Sequence, residues 1–298
     1  MNPVAPNRRA PVARPHRLMA VLSAIVVTAA VAPALADDET GATYGQGRNT
    51  FSLATGSPGE LGLLKALAED FAQRSDARMI WVKAGTGASL RLLQEKKVDM
   101  VMVHAPSQVD KAVQEGWATG KTLIGSNEFY LVGPRGDPAG VARATSAADA
   151  YRRIAAVQAR FVSRGDNSGT HQKEMDIWKQ AGIQPAGAWY VVTRDFMTAS
   201  LKRANAEAAY FMPDSSTWIM EKAVAPDLAI LYRGDKFLVN TYHALVAPPG
   251  ATPGRDTAEK FIAYVASPDG QRILAQYGRD RFGEGLYNDA AYAKQYDR

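Results

Sequence analysis

The sequence has 298 residues, of which 46% are hydrophobic and 22% are charged, as in ordinary globular domains. The absence of cysteine excludes disulfide bridges, Cys-based zinc sites, thiol nucleophiles and a lipid-anchoring cysteine. The net charge of +5 includes four arginines within the first 17 residues, and the rest of the chain carries 31 Lys and Arg against 30 Asp and Glu. This near neutrality argues against nucleic acid as a partner.

The first 36 residues have the three parts of a secretory signal peptide. A basic segment is followed by the apolar run "LMAVLSAIVVTAAVA" and by "ALA" at 34–36, a cleavage site of small residues. The apolar run of about 15 residues is short of the roughly 20 that a membrane-spanning helix needs. We therefore expect cleavage near Ala36 and a soluble protein in the periplasm of a bacterium.

After a polar segment over 37–49, which we expect to be disordered, strand and helix patterns alternate and predict an α/β fold. The predicted strands are "TFSLAT", "RMIWVKA", "VDMVMVHAP", "FYLVGPRGDPAG" with its turn, "ARFVSR", "AWYVVT", "AAYFMPD" and "NTYHALVAP". The predicted helices are "ELGLLKALAEDFAQRS", "ASLRLLQEKK", "SAADAYRRIAAVQ", "HQKEMDIWKQAG", "TASLKRANAE" and a final helical segment in which Ser267 caps a helix that Gly278 ends.

An alternating chain of this length commonly divides into two lobes. The strands at about 128–133 and 240–247 are each followed by Pro- and Gly-rich turns and fit the two crossovers between such lobes. The predicted division assigns residues 50–130 and 243–298 to lobe I and residues 131–242 to lobe II.

Four turns rich in glycine or hydroxyl residues each join a strand end to a helix start. They are "ATGSPGE" (54–60), "AGTGAS" (84–89), "RGDNSGT" (164–170) and "DFMTAS" (195–200). Ligands bind at the carboxyl edge of an open α/β sheet, and helix N-termini there offer unpaired N–H donors to an anion. Arg164 adds a planar fork of donors. Together these features favour an anion site.

Each of these features also has a purely structural explanation. A single turn of this kind is more often a helix cap than a binding site, and Arg164 alone could be ion-paired. Asp166 can restrain Arg164, cap a turn or accept a hydrogen bond from a protonated ligand, and the sequence does not choose among these roles. His171 fits either packing in the first helical turn or a ligand contact.

Enzymatic sites find little support in the sequence. There is no G-x-S-x-G elbow, and beyond the first 36 residues only His104, His171 and His243 remain, without the H-E-x-x-H spacing. "RGDNSG" lacks the spacing and carboxylates of a calcium loop. We therefore predict a binding protein that is not an enzyme and that has no metal or cofactor. A secreted enzyme on a binding-protein scaffold stays as a minor alternative.

The segment "FVSRGDNSGTHQKEMDIWKQAGI" followed by "WY" resembles the signature of the tungstate-binding periplasmic proteins, which are the solute receptors of tungstate ABC importers. The similarity extends through "AGTGASLRLLQEKKVDMVMVHAP", "NEFYLVGPRGDPAG" and "FIAYVASPDGQRILAQYG", and so covers nearly all of residues 50–290. Two turns depart from the family pattern. Leu61 stands where the family has serine, Gly56 replaces a threonine, and "RDFMTAS" lacks the glycines around Met197.

The resemblance implies a two-lobed type II periplasmic binding protein fold with two crossover strands and an oxyanion, tungstate or molybdate first, held between the lobes. It also implies delivery of that anion to an ABC permease, and we expect the receptor to be a monomer. A sensor, or a receptor for phosphate or an organic anion on the same fold, is the alternative. The expected ligand-binding residues, from the turns and the resemblance together, are Thr55, Gly56, Ser57, Thr86, Gly87, Arg164, Asp166, Ser168, Gly169 and Thr170.

Overall fold

Strands and helices alternate along most of the chain in the computed structural model, which describes Met1 and residues 40–297. The strands are β1 (Thr40–Tyr44), β2 (Asn49–Thr55), β3 (Ala77–Lys83), β4 (Met100–Val103), β5 (Thr119–Glu128), β6 (Leu131–Pro134), β7 (Phe161–Ser163), β8 (Tyr190–Val192), β9 (Leu228–Tyr232) and β10 (Val239–Val246). The α-helices are α1 (Ser57–Glu60), α2 (Leu63–Arg74), α3 (Thr86–Gln94), α4 (Pro106–Gln114), α5 (Ala147–Ala156), α6 (Gly169–Ala181), α7 (Met197–Ala206), α8 (Ser215–Glu221), α9 (Arg255–Ala266), α10 (Pro268–Gln276), α11 (Arg279–Phe282) and α12 (Ala290–Ala293).

The largest sheet has six strands in the order β1-β3-β2-β4-β10-β5. Strand β2 pairs in parallel with β3 and β4, whereas β10 runs antiparallel to β4 and β5. All four residues of β4 are buried, as expected of a strand in the middle of a covered sheet. The carboxyl ends of β2, β3 and β4 therefore share one edge with the beginning of β10.

Two smaller sheets lie in the middle of the chain. Strands β6 and β9 pair antiparallel, and β7 and β8 pair in parallel with Phe161 opposite Tyr190. The residues that follow β7 and β8 lead into α6 and α7, so these two helices begin at the same edge of their sheet. This arrangement repeats, on a smaller scale, the strand-to-helix turns at the edge of the large sheet.

Apolar side chains form one large cluster on the six-stranded sheet and two in the middle of the chain. The first contains Phe51, the buried stripe of α2 and Phe261, and it draws on residues 51–102 and 242–287, together with Ile124 and Ile219. The other two contain only residues from 129 to 238, among them Trp178 and Phe211. We propose that these separate cores belong to the two lobes, with boundaries close to the expected 130 and 242. Phe129 and Tyr130 pack in the middle cores and Tyr242 in the first, so each boundary lies slightly earlier in the chain than expected.

Several sequence-based predictions differ from the structure. The prediction of a disordered segment over 37–49 is wrong for residues 40–44, because they form β1 and pair antiparallel with β3. The predicted strand "AAYFMPD" makes only isolated bridges, Phe129 with Asp214, Val132 with Phe211 and Phe161 with Tyr210. The helices α4 and α8, the short helices α1, α11 and α12, and the strands β5 and β9 were not predicted. Short amphipathic patterns of this kind are hard to distinguish from loops in a single sequence.

The predicted signal peptide over residues 1–36 lies outside the described residues, apart from Met1. Among the residues that the structure does describe, no helix combines the length and apolar character required to cross a membrane.

Ser267 caps α10 as the sequence predicted, and its Oγ accepts a bond of 3.4 Å from the Gly270 backbone N–H while donating to Tyr264 O at 2.6 Å. Ser267→Ala should lower the free energy of unfolding by about 1 kcal/mol, because a helix-end donor loses its partner. Urea denaturation measures this loss. Ser107→Ala, at an exposed position of α4, is the control. An equal loss in both variants would contradict the capping role.

Candidate ligand-binding site

A small cavity lies where the four predicted turns meet. Its interior volume is about 10 Å³, which is close to the space that a single water molecule needs, and protein surrounds most of it. Each of the four turns contributes to its wall, and so do Arg164 and the end of β4. The lining residues are Gly56, Ser57, Pro58, Gly85, Thr86, Met102, His104, Arg164, Ser168 and Phe196.

The helices α3 and α7, which begin at the cavity, lack a side-chain cap, as does the short helix α1. Gly85 before α3 has no side chain, and the side chain of Phe196 before α7 has no hydrogen-bond acceptor for the helix N–H groups. The first N–H groups of both helices therefore remain as donors, and each helix adds the positive end of its dipole. In contrast, Ser168 caps α6 by accepting a 3.3 Å bond from the His171 backbone N–H.

Arg164 follows β7 directly and is the charged group in the cavity wall. Its side chain is buried, with the residue only 4% exposed. Nε donates to Asp195 O at 3.1 Å, and Nη2 donates to Asp166 Oδ2 at 2.5 Å. The ring of Phe196 lies 5.7 Å from Cζ. The third nitrogen, Nη1, has no hydrogen-bond partner among residues 40–297 and remains available to a ligand.

Two hydroxyl groups of the wall keep a proton to donate. Thr86 Oγ1 accepts a long bond of 3.5 Å from the His104 backbone N–H, and Ser168 Oγ accepts the bond from His171. Since both oxygens are acceptors in these bonds, their own O–H protons can point to a ligand. Nη1 of Arg164 and these hydroxyls make the wall rich in donors.

Five of the ten predicted residues line the cavity and five lie beside it. The lining set is Gly56, Ser57, Thr86, Arg164 and Ser168. Thr55 is buried and donates its hydroxyl to Met102 O at 2.8 Å, which ties β2 to β4. The Thr170 hydroxyl is buried in α6 without a hydrogen-bond partner in the described part of the chain. The ligand-binding roles of all ten residues stay predictions.

The two predicted glycines beside the cavity permit close approach between turns. A Cβ at Gly87 would lie 2.6 Å from Asn167 Nδ2, and one at Gly169 would lie 2.5 Å from His104 Cε1. Such distances are shorter than real Cβ contacts allow, so both positions need glycine as long as the neighbouring groups stay in place. These glycines therefore bring the second and third turns and β4 together.

Asp166 fills two of the three roles that the sequence left open. Its Oδ2 holds Arg164, and its Oδ1 accepts a bond of 3.1 Å from the Ser168 backbone N–H. It does not line the cavity. His171 also lies outside the lining, and its Nδ1 accepts a bond from the Asn167 N–H at 3.1 Å, which favours its explanation as part of the helix start.

Leu61 does not contribute to the cavity, although its replacement of a family serine suggested an altered pocket. It ends α1, its side chain is 5% exposed, and its carbonyl accepts a bond of 2.6 Å from the Tyr277 hydroxyl. This departure from the family pattern therefore lies outside the cavity lining, and the Leu61 side chain packs inside the protein.

Sequence reasoning missed five lining residues, of which His104 matters most chemically. It directly follows the buried strand β4 at the carboxyl edge of the sheet, and the same rule that selected the four turns would have selected it. Burial lowers its pKa to about 4, with a smaller contribution from Arg164, so the imidazole is neutral near pH 7. The others are Pro58, Gly85, Met102 and Phe196.

Comparison with known proteins shows the family to which the chain belongs. Residues 38–269 match the PBP superfamily domain. The chain belongs to the PBP superfamily. It is similar to the tungstate ABC transporter structure from Geobacter sulfurreducens, with 36% identity over 78% of this chain and 100% of that one and a TM-score of 0.71. The tungstate-binding protein TupA from Desulfovibrio alaskensis G20 is also 36% identical, over 80% of this chain and 98% of the other, with a TM-score of 0.67.

A further relative is the tungstate-binding protein TupA of Peptoclostridium acidaminophilum, which is 28% identical over 92% of this chain and 99% of its own length. These similarities confirm the predicted resemblance and the type II periplasmic binding fold. They also place the PBP domain among solute-binding proteins and not among enzymes. In the described part of the chain, no group of three or more acidic, His or Cys side chains could hold a metal ion.

Proposed function

We propose that this PBP protein is the receptor of an ABC importer and binds a tetrahedral oxyanion, tungstate or molybdate, in the cavity at the four turns. The observation that carries the proposal is the buried guanidinium of Arg164, which lines the cavity and has one nitrogen without a partner among the described residues. A buried cation with a free donor stabilises an anion bound beside it.

The other groups of the wall are also suited to an anion. The uncapped starts of α3 and α7 offer N–H donors, and Thr86 and Ser168 offer hydroxyl protons. Contacts with these groups come from several directions, which suits four oxygens around a central atom. Because the cavity is small and nearly surrounded by protein, water is largely excluded and each electrostatic contact gains strength.

The preference for tungstate or molybdate is supported by the relatives, two of which are named tungstate-binding proteins. These anions are larger than sulfate and phosphate, so the space that the turns leave around a bound anion can distinguish them. Phosphate differs further because it carries a proton near neutral pH. The turns that depart from the family pattern include Gly56 and Phe196, and both line the cavity.

The receptor is proposed to close its two lobes around the anion. Lys83, which ends β3, lies 4.3 Å from the ring of Phe196 before α7, and it also forms an ion pair of 2.7 Å with Glu60.

We further propose that the protein is a periplasmic monomer, exported by the signal peptide over residues 1–36, and that its partner is the permease of the importer.

Isothermal titration calorimetry with tungstate, molybdate, sulfate and phosphate tests the proposed function. Tungstate and molybdate should bind at least about tenfold more tightly than sulfate and phosphate, a difference of about 1.4 kcal/mol. Tighter binding of phosphate would favour the alternative receptor on the same fold. If none of the four anions gives a binding isotherm, the oxyanion function is wrong.

A further inference from the structure

His104 occupies a fixed position in the cavity wall. Its ring packs against Tyr242 at a centroid distance of 4.9 Å and against Phe129 at 6.2 Å, and the start of α6 approaches it at Gly169. Its Nδ1 lies 3.0 Å from Asn240 Oδ1. Nε2 has no hydrogen-bond partner among the described residues. One ring nitrogen is therefore held by the protein, and the other remains for a ligand.

A chain of hydrogen bonds determines which nitrogen carries the proton. It begins at the backbone carbonyl of Leu286, which can only accept, and which therefore receives the Ser216 hydroxyl proton at 2.8 Å. Ser216 Oγ must then accept from Asn127 Nδ2, at 2.9 Å. This bond orients the Asn127 amide, and Asn127 Nδ2 also donates to Asp214 Oδ1 at 3.1 Å.

The orientation of the Asn127 amide fixes that of the Asn240 amide, which in turn determines the tautomer of His104. Asn127 Oδ1 accepts from Asn240 Nδ2 at 2.7 Å, which leaves Asn240 Oδ1 as the acceptor that faces His104. Nδ1 of His104 must therefore carry a proton in order to donate to it. A neutral imidazole has one N–H, so Nε2 presents a lone pair.

This acceptor is unusual among the polar groups of the cavity. Arg164 Nη1 and the hydroxyls of Thr86 and Ser168 are available as donors. A fully deprotonated oxyanion satisfies these donors, but it places an oxygen lone pair next to the lone pair of Nε2. One proton between the two atoms removes this conflict.

We propose that His104 is a ligand-binding residue and that Nε2 shares one proton with an oxygen of the bound oxyanion. The proton comes from solvent, so a dianion is bound together with one proton. The N–H···O and O–H···N forms of this contact contain the same number of protons. This inference rests on the proposed oxyanion-binding function.

The charged groups around His104 are consistent with proton uptake on binding. Burial lowers its pKa most, Arg164 and Lys173 lower it further, and Asp166 together with the Asn240 bond raises it. In the unliganded protein the ring is therefore neutral well above pH 4. A dianion in the cavity adds negative charge and favours the protonated pair. Binding and protonation should then be coupled.

Calorimetry of molybdate binding in buffers of different ionisation enthalpy counts the protons. In HEPES, MOPS and Tris at about pH 7.5, the slope of binding enthalpy against buffer ionisation enthalpy should correspond to uptake of about one proton. Between about pH 6.5 and 8.5 the Kd should rise by about tenfold per pH unit. A slope near zero with normal binding would overturn the inference while leaving the oxyanion function intact.

Two variants assign the proton to His104. In His104→Gln an amide can donate at the position of Nε2 without taking up a proton, so the slope should fall to near zero with measurable binding. His104→Asn places an amide near the position of Nδ1, which faces Asn240, but leaves no group at the position of Nε2. This variant should bind molybdate more weakly. His171→Gln, at the half-buried histidine outside the cavity, is the control and should keep the slope of the unaltered protein.

The results that would contradict the role of His104 can be distinguished from a failure of the proposed oxyanion-binding function. If no anion binds to the unaltered protein, the function itself is wrong. If His104→Gln folds, binds molybdate and still takes up the same number of protons, the proton is held elsewhere and the inference is wrong. The melting temperature of each variant shows whether it is folded.

Discussion

Arg164→Ala is expected to weaken oxyanion binding by about 2–4 kcal/mol, which is roughly 30- to 1,000-fold in Kd. The substitution removes the buried cation and the free Nη1 donor of the cavity wall. It also leaves the Asp166 carboxylate without its partner near the bound anion. The lost attraction of Arg164 for the anion and the repulsion between Asp166 and the anion therefore both weaken binding. Calorimetry with tungstate or molybdate measures the change.

Two control variants make this prediction specific. Arg152→Ala removes the same charge from an exposed position on α5 and should leave the affinity unchanged. Arg164→Lys retains the charge but not the planar fork, and should recover only part of the loss. Circular dichroism and thermal unfolding should show that Arg164→Ala is folded. A folded variant with unchanged affinity would mean that Arg164 has a structural role only.

Glu174→Gln is expected to stabilise the protein by up to about 3 kcal/mol at pH 8. Glu174 lies in α6 with only 2% exposure, and Tyr190 and Trp178 donate to its Oε1 at 2.6 and 3.2 Å. Burial raises its pKa from 4.5 to about 7, and the donated hydrogen bonds offset only part of that effect. The ionised carboxylate is thus costly inside the folded protein.

The sign of the pH dependence follows from this raised pKa. Below pH 4.5 the carboxyl is protonated in both the folded and the unfolded chain. Between about pH 4.5 and 7 the unfolded chain releases the proton while the folded chain keeps it, so the contribution of Glu174 to stability falls as pH rises. Above about pH 7 the full cost is present. In Glu174→Gln this contribution disappears.

Urea denaturation of the two proteins at a series of pH values measures the difference. The variant should gain stability relative to the unaltered protein only as the pH rises from about 4.5 to 7. Glu115→Gln, on an exposed glutamate, is the control that removes a charge without burial. A stability difference between Glu174→Gln and the unaltered protein that does not change with pH would show that Glu174 has an ordinary pKa in the folded state.

Much of the fold was accessible from local patterns in the sequence. The stripe of α2, the buried run of β4 and the cap at Ser267 are encoded by residues within a few positions of each other. Strand β1 was missed because "TGATY" is short and polar, and its order comes from pairing with β3, which no local pattern contains. Long-range pairing of this kind overrides local propensity.

For the site, the sequence by itself determined the class of chemistry. Glycines and hydroxyls at strand-to-helix turns, together with an arginine directly after a strand, indicate an anion site, because these groups act through the local geometry of a helix start. Gly56, Ser57, Thr86, Arg164 and Ser168 were expected from these turns together with the family resemblance, and all five line the cavity.

Only the tertiary structure decided which polar group of the cavity wall is a hydrogen-bond acceptor among the donors, namely Nε2 of His104. The Leu61 side chain is buried outside the cavity lining, and the Asp166 carboxylate accepts hydrogen bonds from Arg164 and from the Ser168 backbone N–H. The tautomer of His104 depends on a hydrogen-bond chain that joins residues 104, 240, 127, 216 and 286. Because these residues are far apart in the sequence and meet only when the chain folds, no local pattern could reveal the direction of their bonds.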